Sequence, residues 1–449
     1  MKQIFSALLL SVFMLFGISL YAPVSAQTII RDTELENAVE AWSEPIILAS
    51  NLSPKSINII FVQDSAINAF VAGGSNVFIY TGLIEKAENP QELLGVIAHE
   101  LGHISGGHLI RTREALRNAS YEAMLGTILG VGAAILTGDS SAASAIGTAG
   151  QSTAQRRFLT HSRTHESSAD QAGLAALKTA KIDPEGLVTF FEKLQDQDLL
   201  PQTQQVEYVR THPLTRNRIE AIKTKAQQSP LYGQGMSTEK QEQFDRLRAK
   251  LIGFIQPTYV ELTYSKKDTS IAAQYARAIA AYRQNQKSEA LQLIDALLTK
   301  EPKNPYFLEL KGQMLLEFGD VEASLSPYRE AIAILPNAGL IRAAYAHALI
   351  EASGGSDKYL NEAIDQLNIA YKTEKNSLNV QRLLGTAYGR LGQEGKANIH
   401  LAEEALLKGQ YEYAAQRINV ALKNTKNGSP DWYKAQDMLN VIKLDKESN

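Results

Sequence analysis

The segment His99-Glu100-Leu101-Gly102-His103 sets two imidazoles four residues apart, with a carboxylate directly after the first. On a helix this spacing puts both rings on one face, one turn apart, where both can reach a single metal ion. Glu100 then sits on the adjacent edge, within reach of a water at that ion, and the chemistry open to such a set is hydrolysis of a carbonyl compound. The flanking Gly95-Val96-Ile97-Ala98 and Leu101 are apolar, which argues for a buried helix. Two imidazoles and a carboxylate are costly to bury without a partner, and a metal ion is the natural one.

A catalytic zinc takes three protein ligands and keeps one position open. The third ligand is sought in Ser162-Arg163-Thr164-His165-Glu166-Ser167-Ser168-Ala169-Asp170, where Glu166 is the first candidate and His161 and His165 compete with it. Spacing alone leaves that choice open. Asp170, one turn beyond Glu166, can accept the distal N–H of His99 or His103 and fix its tautomer. Six of the eight histidines lie between 99 and 212, which draws His212 to the site as well. There it would either stabilise the oxyanion or gate the open metal position. Arg218, five residues after Pro213, would orient this loop or a substrate carbonyl. His108, His347 and His400 are given structural roles.

The elements around these residues follow from local grammar. Asn89-Pro90-Gln91-Glu92 starts a helix by capping, and Leu94, Ile97, Ala98, Leu101 and Ile104 carry its buried stripe to about Ser105, with Gly106-Gly107 ending it. Upstream, the stretch from Gln27 to about Ser53 reads as helical. Strands follow at Ile57 to Val62, Ile67 to Ala72 and Asn76 to Thr81, the last two joined by a turn at Gly73-Gly74-Ser75. A sheet edge just ahead of the His99 helix can hold an extended peptide as an added strand. Residues 121 to 155 are rich in Gly, Ala, Ser and Thr around a short apolar core, and read as a lid or a site of peripheral membrane contact.

The motif and its partner segment, Ser162-Arg163-x-x-Glu166-x-x-x-Asp170, together with Asn68-Ala69-Phe70 to Tyr80-Thr81-Gly82, resemble the HtpX/prenyl-protease-like family of gluzincin metallopeptidases. The resemblance implies that His99, His103 and Glu166 bind one Zn2+ per chain and that Glu100 is the general base. It also implies a zincin-type α+β fold, mostly helical, with a small β-sheet.

From about Thr263 the chain turns helical with a period. Lys300-Glu301-Pro302 and Ile334-Leu335-Pro336 stand 34 residues apart, the length of a tetratricopeptide unit, and about four repeats plus capping helices are expected as an all-α superhelix. The insertion at Gly354-Gly355-Ser356-Asp357 breaks the register.

Met1-Lys2-Gln3 before an apolar run from Ile4 to Leu20 reads as a secretory signal peptide cleaved after Ala26, with an uncleaved anchor as the alternative. The expected division is therefore a signal peptide over 1–26, a metallopeptidase domain over 27–262 and a repeat domain over 263–449. The 449-residue chain has no cysteine, which excludes disulfides and thiolate ligands. Lys and Arg total 45 against 48 Asp and Glu, so no field gathers nucleic acid.

With leader and repeats together, the chain resembles the BepA-type periplasmic proteases and chaperones of Gram-negative bacteria. That resemblance implies a periplasmic zinc endopeptidase acting on unfolded or misassembled envelope proteins. The repeats would recruit these clients or the outer-membrane assembly machinery. The alternative is a chaperone or adaptor whose zinc site is largely closed.

Overall fold

A computed structural model of the chain describes residues 28–108, 111, 163–196, 200 and 204–448. The expected leader, the 121–155 segment and His161 lie outside those residues. Among the described residues no helix is long and apolar enough to cross a membrane.

The described chain opens on a strand, β1 (Thr28–Ile30), paired antiparallel with β2 (Asn58–Gln63). This corrects the helical reading of that stretch. Thr28, Ile29 and Ile30 are β-branched and find a ready partner strand, so the helix begins only after Asp32. Asp32 caps α1 (Thr33–Ala49) by accepting from the Leu35 amide at 2.9 Å. Then β3 (Ala69–Ala72) and β4 (Asn76–Tyr80) form the expected antiparallel hairpin, and β4 runs parallel to β2. The order β1-β2-β4-β3 leaves β3 at one edge of the sheet. The strand ends differ from expectation by a residue or two, and Thr81 belongs to the next helix, α2 (Thr81–Lys86).

The sheet packs against α3 (Pro90–Ser105), which α1 also meets, and three more segments pack on α3 or on one another. They are α4, helical from 163 to 179, α5 (Glu185–Leu194) and α7 (Arg216–Ala226), with short α6 (Glu207–Thr211) before the last. A single apolar core joins Leu35, Val39 and Ile46 of α1, Phe61, Val77 and Ile79 of the sheet, Leu94, Ile97 and Leu101 of α3, and Leu187, Phe190 and Phe191 of α5. Each such side chain contributes about 1.5–3 kcal/mol by leaving water.

The crossing of α3 and α4 is set by two glycines. A Cβ on Gly102 would lie 2.5 Å from the Ala169 carbonyl oxygen, and one on Gly173 would lie 3.0 Å from that of Ala98. Backbone therefore meets backbone at the point that brings Glu166 over the two histidines. Gly102→Ala has backbone rather than a movable side chain to displace, so the expected loss of stability is about 1–3 kcal/mol, together with weakened metal binding. Denaturant unfolding of the variant and its metal content check both parts.

After α8 (Thr238–Ile255) and a single helical turn at Val260–Thr263, the described residues form ten further helices in five antiparallel pairs. These are α9 (Ile271–Arg283) with α10 (Lys287–Lys300), α11 (Pro305–Glu317) with α12 (Val321–Ile334), α13 (Gly339–Ala352) with α14 (Asp357–Thr373), α15 (Leu378–Arg390) with α16 (Glu394–Leu407), and α17 (Tyr411–Lys423) with α18 (Pro430–Ser448). The first three pairs begin 34 residues apart, and the insertion at Gly354 to Asp357 delays the fourth by five. Lys250 of α8 reaches Asp32 at 2.6 Å and Glu34 at 3.1 Å, and Tyr275 of α9 donates to Glu34 at 3.0 Å. A buried polar joint thus ties the first repeat to α1.

Candidate metal centre

The positioning of the site begins at the start of α3. Asn89 caps the helix, accepting from the Glu92 amide at 3.0 Å, and Pro90 occupies the first turn, where its missing N–H costs nothing. Glu92 accepts from the Glu88 amide at 2.9 Å, from Thr189 at 3.1 Å and from Lys193 at 2.7 Å. These contacts lock α3 against α5 and fix its rotation, so that His99 and Glu100 are fully buried and His103 nearly so.

His99 Nε2 and His103 Nε2 stand 3.1 Å apart, and each lies 3.4 Å from an oxygen of Glu166. His212 Nδ1 completes the group, 3.3 Å from His99 Nε2 and 3.1 Å from Glu166 Oε2. Four donors tetrahedrally arranged around a zinc-sized ion, each about 2.0–2.1 Å from it, stand roughly 3.3 Å from one another. The observed separations match, and these four side chains could hold a metal ion. Both oxygens of Glu100 are buried without a hydrogen-bond partner among the described residues. Orphaned carboxylate oxygens beside converging imidazoles are what a bound cation and its water would satisfy.

Asp170 Oδ1 lies 2.9 Å from His99 Nδ1, the nitrogen facing away from the group. Arg218 grips Asp170 with two hydrogen bonds, of 2.6 and 2.8 Å, donates to the Pro213 carbonyl at 2.9 Å and lies over the Phe191 ring. Thr215 caps α7, which carries Arg218. The same guanidinium therefore ties together α4, α7 and the loop that follows His212. It also approaches Glu166 Oε2 at 3.0 Å.

The two glutamates are driven in opposite directions. Burial pushes Glu100 up from the ordinary carboxylate value. Burial also opposes ionisation of Glu166, but His212 and His99 overcome it and hold that carboxyl well below the ordinary range. Burial opposes a charge on His99, yet Asp170 and Glu166 lift it to about 9, while burial and the neighbouring His99 depress His103 to about 2. Two carboxylates set apart in this way suit different tasks, one a permanent anion and one a proton carrier.

The structure thus brings together His99, Glu100, His103, Glu166, Asp170, His212 and Arg218. His165, the competing ligand candidate, is outside the group of four and stacks on His108 at 4.4 Å. Two features of the site were missed in the sequence. Tyr208, one turn before His212 and fully buried, packs its ring 4.8 Å from that imidazole, and Phe191 meets His99 edge-on. The apolar spacing of Leu187, Val188, Phe190, Phe191 and Leu194 does mark a buried helix face, but not which ring reaches the site.

Residues 31–226 match Peptidase family M48, and residues 275–339 match a tetratricopeptide repeat. The chain is 26% identical over 415 residues to the "Beta-barrel assembly-enhancing protease" of Escherichia coli (strain K12), covering 89% of this chain and 81% of that one. It is 25% identical over 413 residues to the "Putative beta-barrel assembly-enhancing protease" of Vibrio cholerae, covering 90% and 83%. It is also 27% identical over 208 residues to "Metalloprotease LoiP" of Escherichia coli (strain K12), covering 45% and 72%.

Proposed function

We propose, for a metalloprotease that joins a peptidase family M48 domain to tetratricopeptide repeats, that it is a zinc endopeptidase of the cell envelope cleaving unfolded or misassembled proteins. The divalent metal that the family implies is assigned as zinc, held by His99, His103 and Glu166. The observation that carries this is the close set of three imidazole nitrogens and one carboxylate at ligand-to-ligand spacing.

Zinc, when bound there, supplies a Lewis acid for the scissile carbonyl and lowers the pKa of the attacking water. Glu100, raised by burial, takes the proton from that water and passes it to the leaving amine. Asp170 accepts from His99 Nδ1 and keeps its Nε2 free as a donor to the ion. Arg218 positions Asp170 and, through the Pro213 carbonyl, the loop bearing His212. His212 is assigned to the fourth position, as a gate.

The edge strand β3 packs on α3, so an extended chain added along it runs past the site. Such binding selects unfolded segments over folded ones. The repeats, taken from residue 263 on, bind protein partners, and a peptidase unit over 27–262 does the cutting. The names of these relatives support a part in assembly of β-barrel proteins of the outer membrane, which requires export through the leader to the periplasm.

Chelation tests the metal reading. The purified chain from Gln27 onward is expected to cleave an unfolded protein, to lose that activity in a chelator and to regain it on addition of zinc. Cleavage that persists in the chelator with no metal left in the protein refutes it.

A further inference from the structure

We propose that His108 is a positioning residue for His103: folded back beneath the end of α3, it accepts the hydrogen on His103 Nδ1 and so keeps Nε2 unprotonated and aimed at the metal. The inference rests on the reading of His103 as a zinc ligand. His103 Nε2 faces His99 and Glu166, so its one remaining hydrogen must sit on Nδ1 when Nε2 donates to an ion. The atom opposite is His108 Nδ1, 3.1 Å away, with the two rings nearly perpendicular. His108 is 2% exposed, and its hydrogen then resides on Nε2.

The turn that brings His108 there is built for it. Gly107 adopts a φ of +63°, a conformation that L side chains rarely take. A Cβ on Gly106 would fall 2.3 Å from His108 Nε2 and 2.8 Å from two other ring atoms. Glycine at 106 therefore leaves room for this imidazole. On the far face, His165 stacks parallel to the ring, at an angle of 6°. His165 thus acts one step removed from the ion, holding the plane of the group that orients His103. Asp170 plays the matching part for His99, so each histidine of α3 has its own partner on the nitrogen facing away from the metal.

Zinc affinity of the full chain, measured by competition with a chromophoric chelator, tests the assignment. His108→Leu keeps an apolar filler of similar bulk but offers no acceptor, and is expected to bind zinc about 10–100-fold more weakly. His108→Asn, whose side-chain carbonyl can still accept from His103 Nδ1, is expected to recover most of that loss. Parental affinity in the Leu variant, or a loss in Asn as large as in Leu, overturns the proposal. If His108→Leu does not fold, Gly106→Ala displaces the same ring without changing its chemistry. Weakened zinc binding there supports the assignment and unchanged binding overturns it. A parent chain that binds no zinc defeats the metal reading itself and is thereby told apart.

Discussion

Glu100→Gln is expected to leave the metal bound and the fold intact while cleavage of an unfolded protein falls about 10²–10⁴-fold. The substitution keeps the shape of a side chain with no exposed surface but removes its ability to take a proton. Both carboxylate oxygens lack a hydrogen-bond partner among the described residues, so no hydrogen bond is lost with them, and the one close charged contact is His212 Nε2, 3.5 Å from Oε1. A buried charge disappears, and thermal stability should not drop below that of the parent. The three residues proposed to bind zinc are untouched, so equal metal content separates this loss from a loss of ligand. Retained cleavage at parental rate, with one zinc per chain, would remove Glu100 from the mechanism. The same variant placed in cells separates the two roles considered for the chain. If it corrects envelope defects while a chain ending near residue 260 does not, binding by the repeats outweighs proteolysis.

The parts of this site that could be read from the sequence are those with short-range causes. Pairing of His99 with His103 needs only the pitch of a helix, and the start of that helix is written in Asn89, Pro90 and Glu92. The repeats were legible for a similar reason, since a 34-residue step recurs in helix starts at Ile271, Pro305 and Gly339. Glu166 stands differently. Its place over the histidines depends on how closely α4 crosses α3, which Gly102 and Gly173 permit but do not dictate. Spacing alone could not choose between Glu166 and His165, neighbours in sequence whose side chains serve different layers of the site. The short strand β1 escaped because its three residues have no periodicity of their own and owe their conformation to β2. His108 looked like a residue past the end of a helix, and only the backward turn at Gly106 and Gly107 makes it a neighbour of His103.

His212→Ala is expected to raise proteolysis, with the gain concentrated in kcat/KM. Zinc sites with four protein ligands are closed structural centres, whereas catalytic ones keep a position for water or substrate. With His212 Nδ1 within 3.3 Å of His99 Nε2 and 3.1 Å of Glu166 Oε2, the imidazole of the proposed gate would compete with a substrate for one place. A site open only a fraction of the time binds substrate with an apparent affinity reduced by that fraction. Alanine removes the competitor, so a gate worth about 1.4 kcal/mol yields a tenfold gain in kcat/KM. At saturating substrate the gate is already displaced, and kcat should change little. The loop can act this way because His212 is the cap of α6, is followed by Pro213, and is restrained through the Pro213 carbonyl by Arg218. A role for His212 in stabilising the oxyanion predicts the opposite pattern, a fall in kcat with little change in KM. Initial rates over a range of substrate concentrations distinguish the two, and rates equal to those of the parent would reduce His212 to a packing partner of Tyr208.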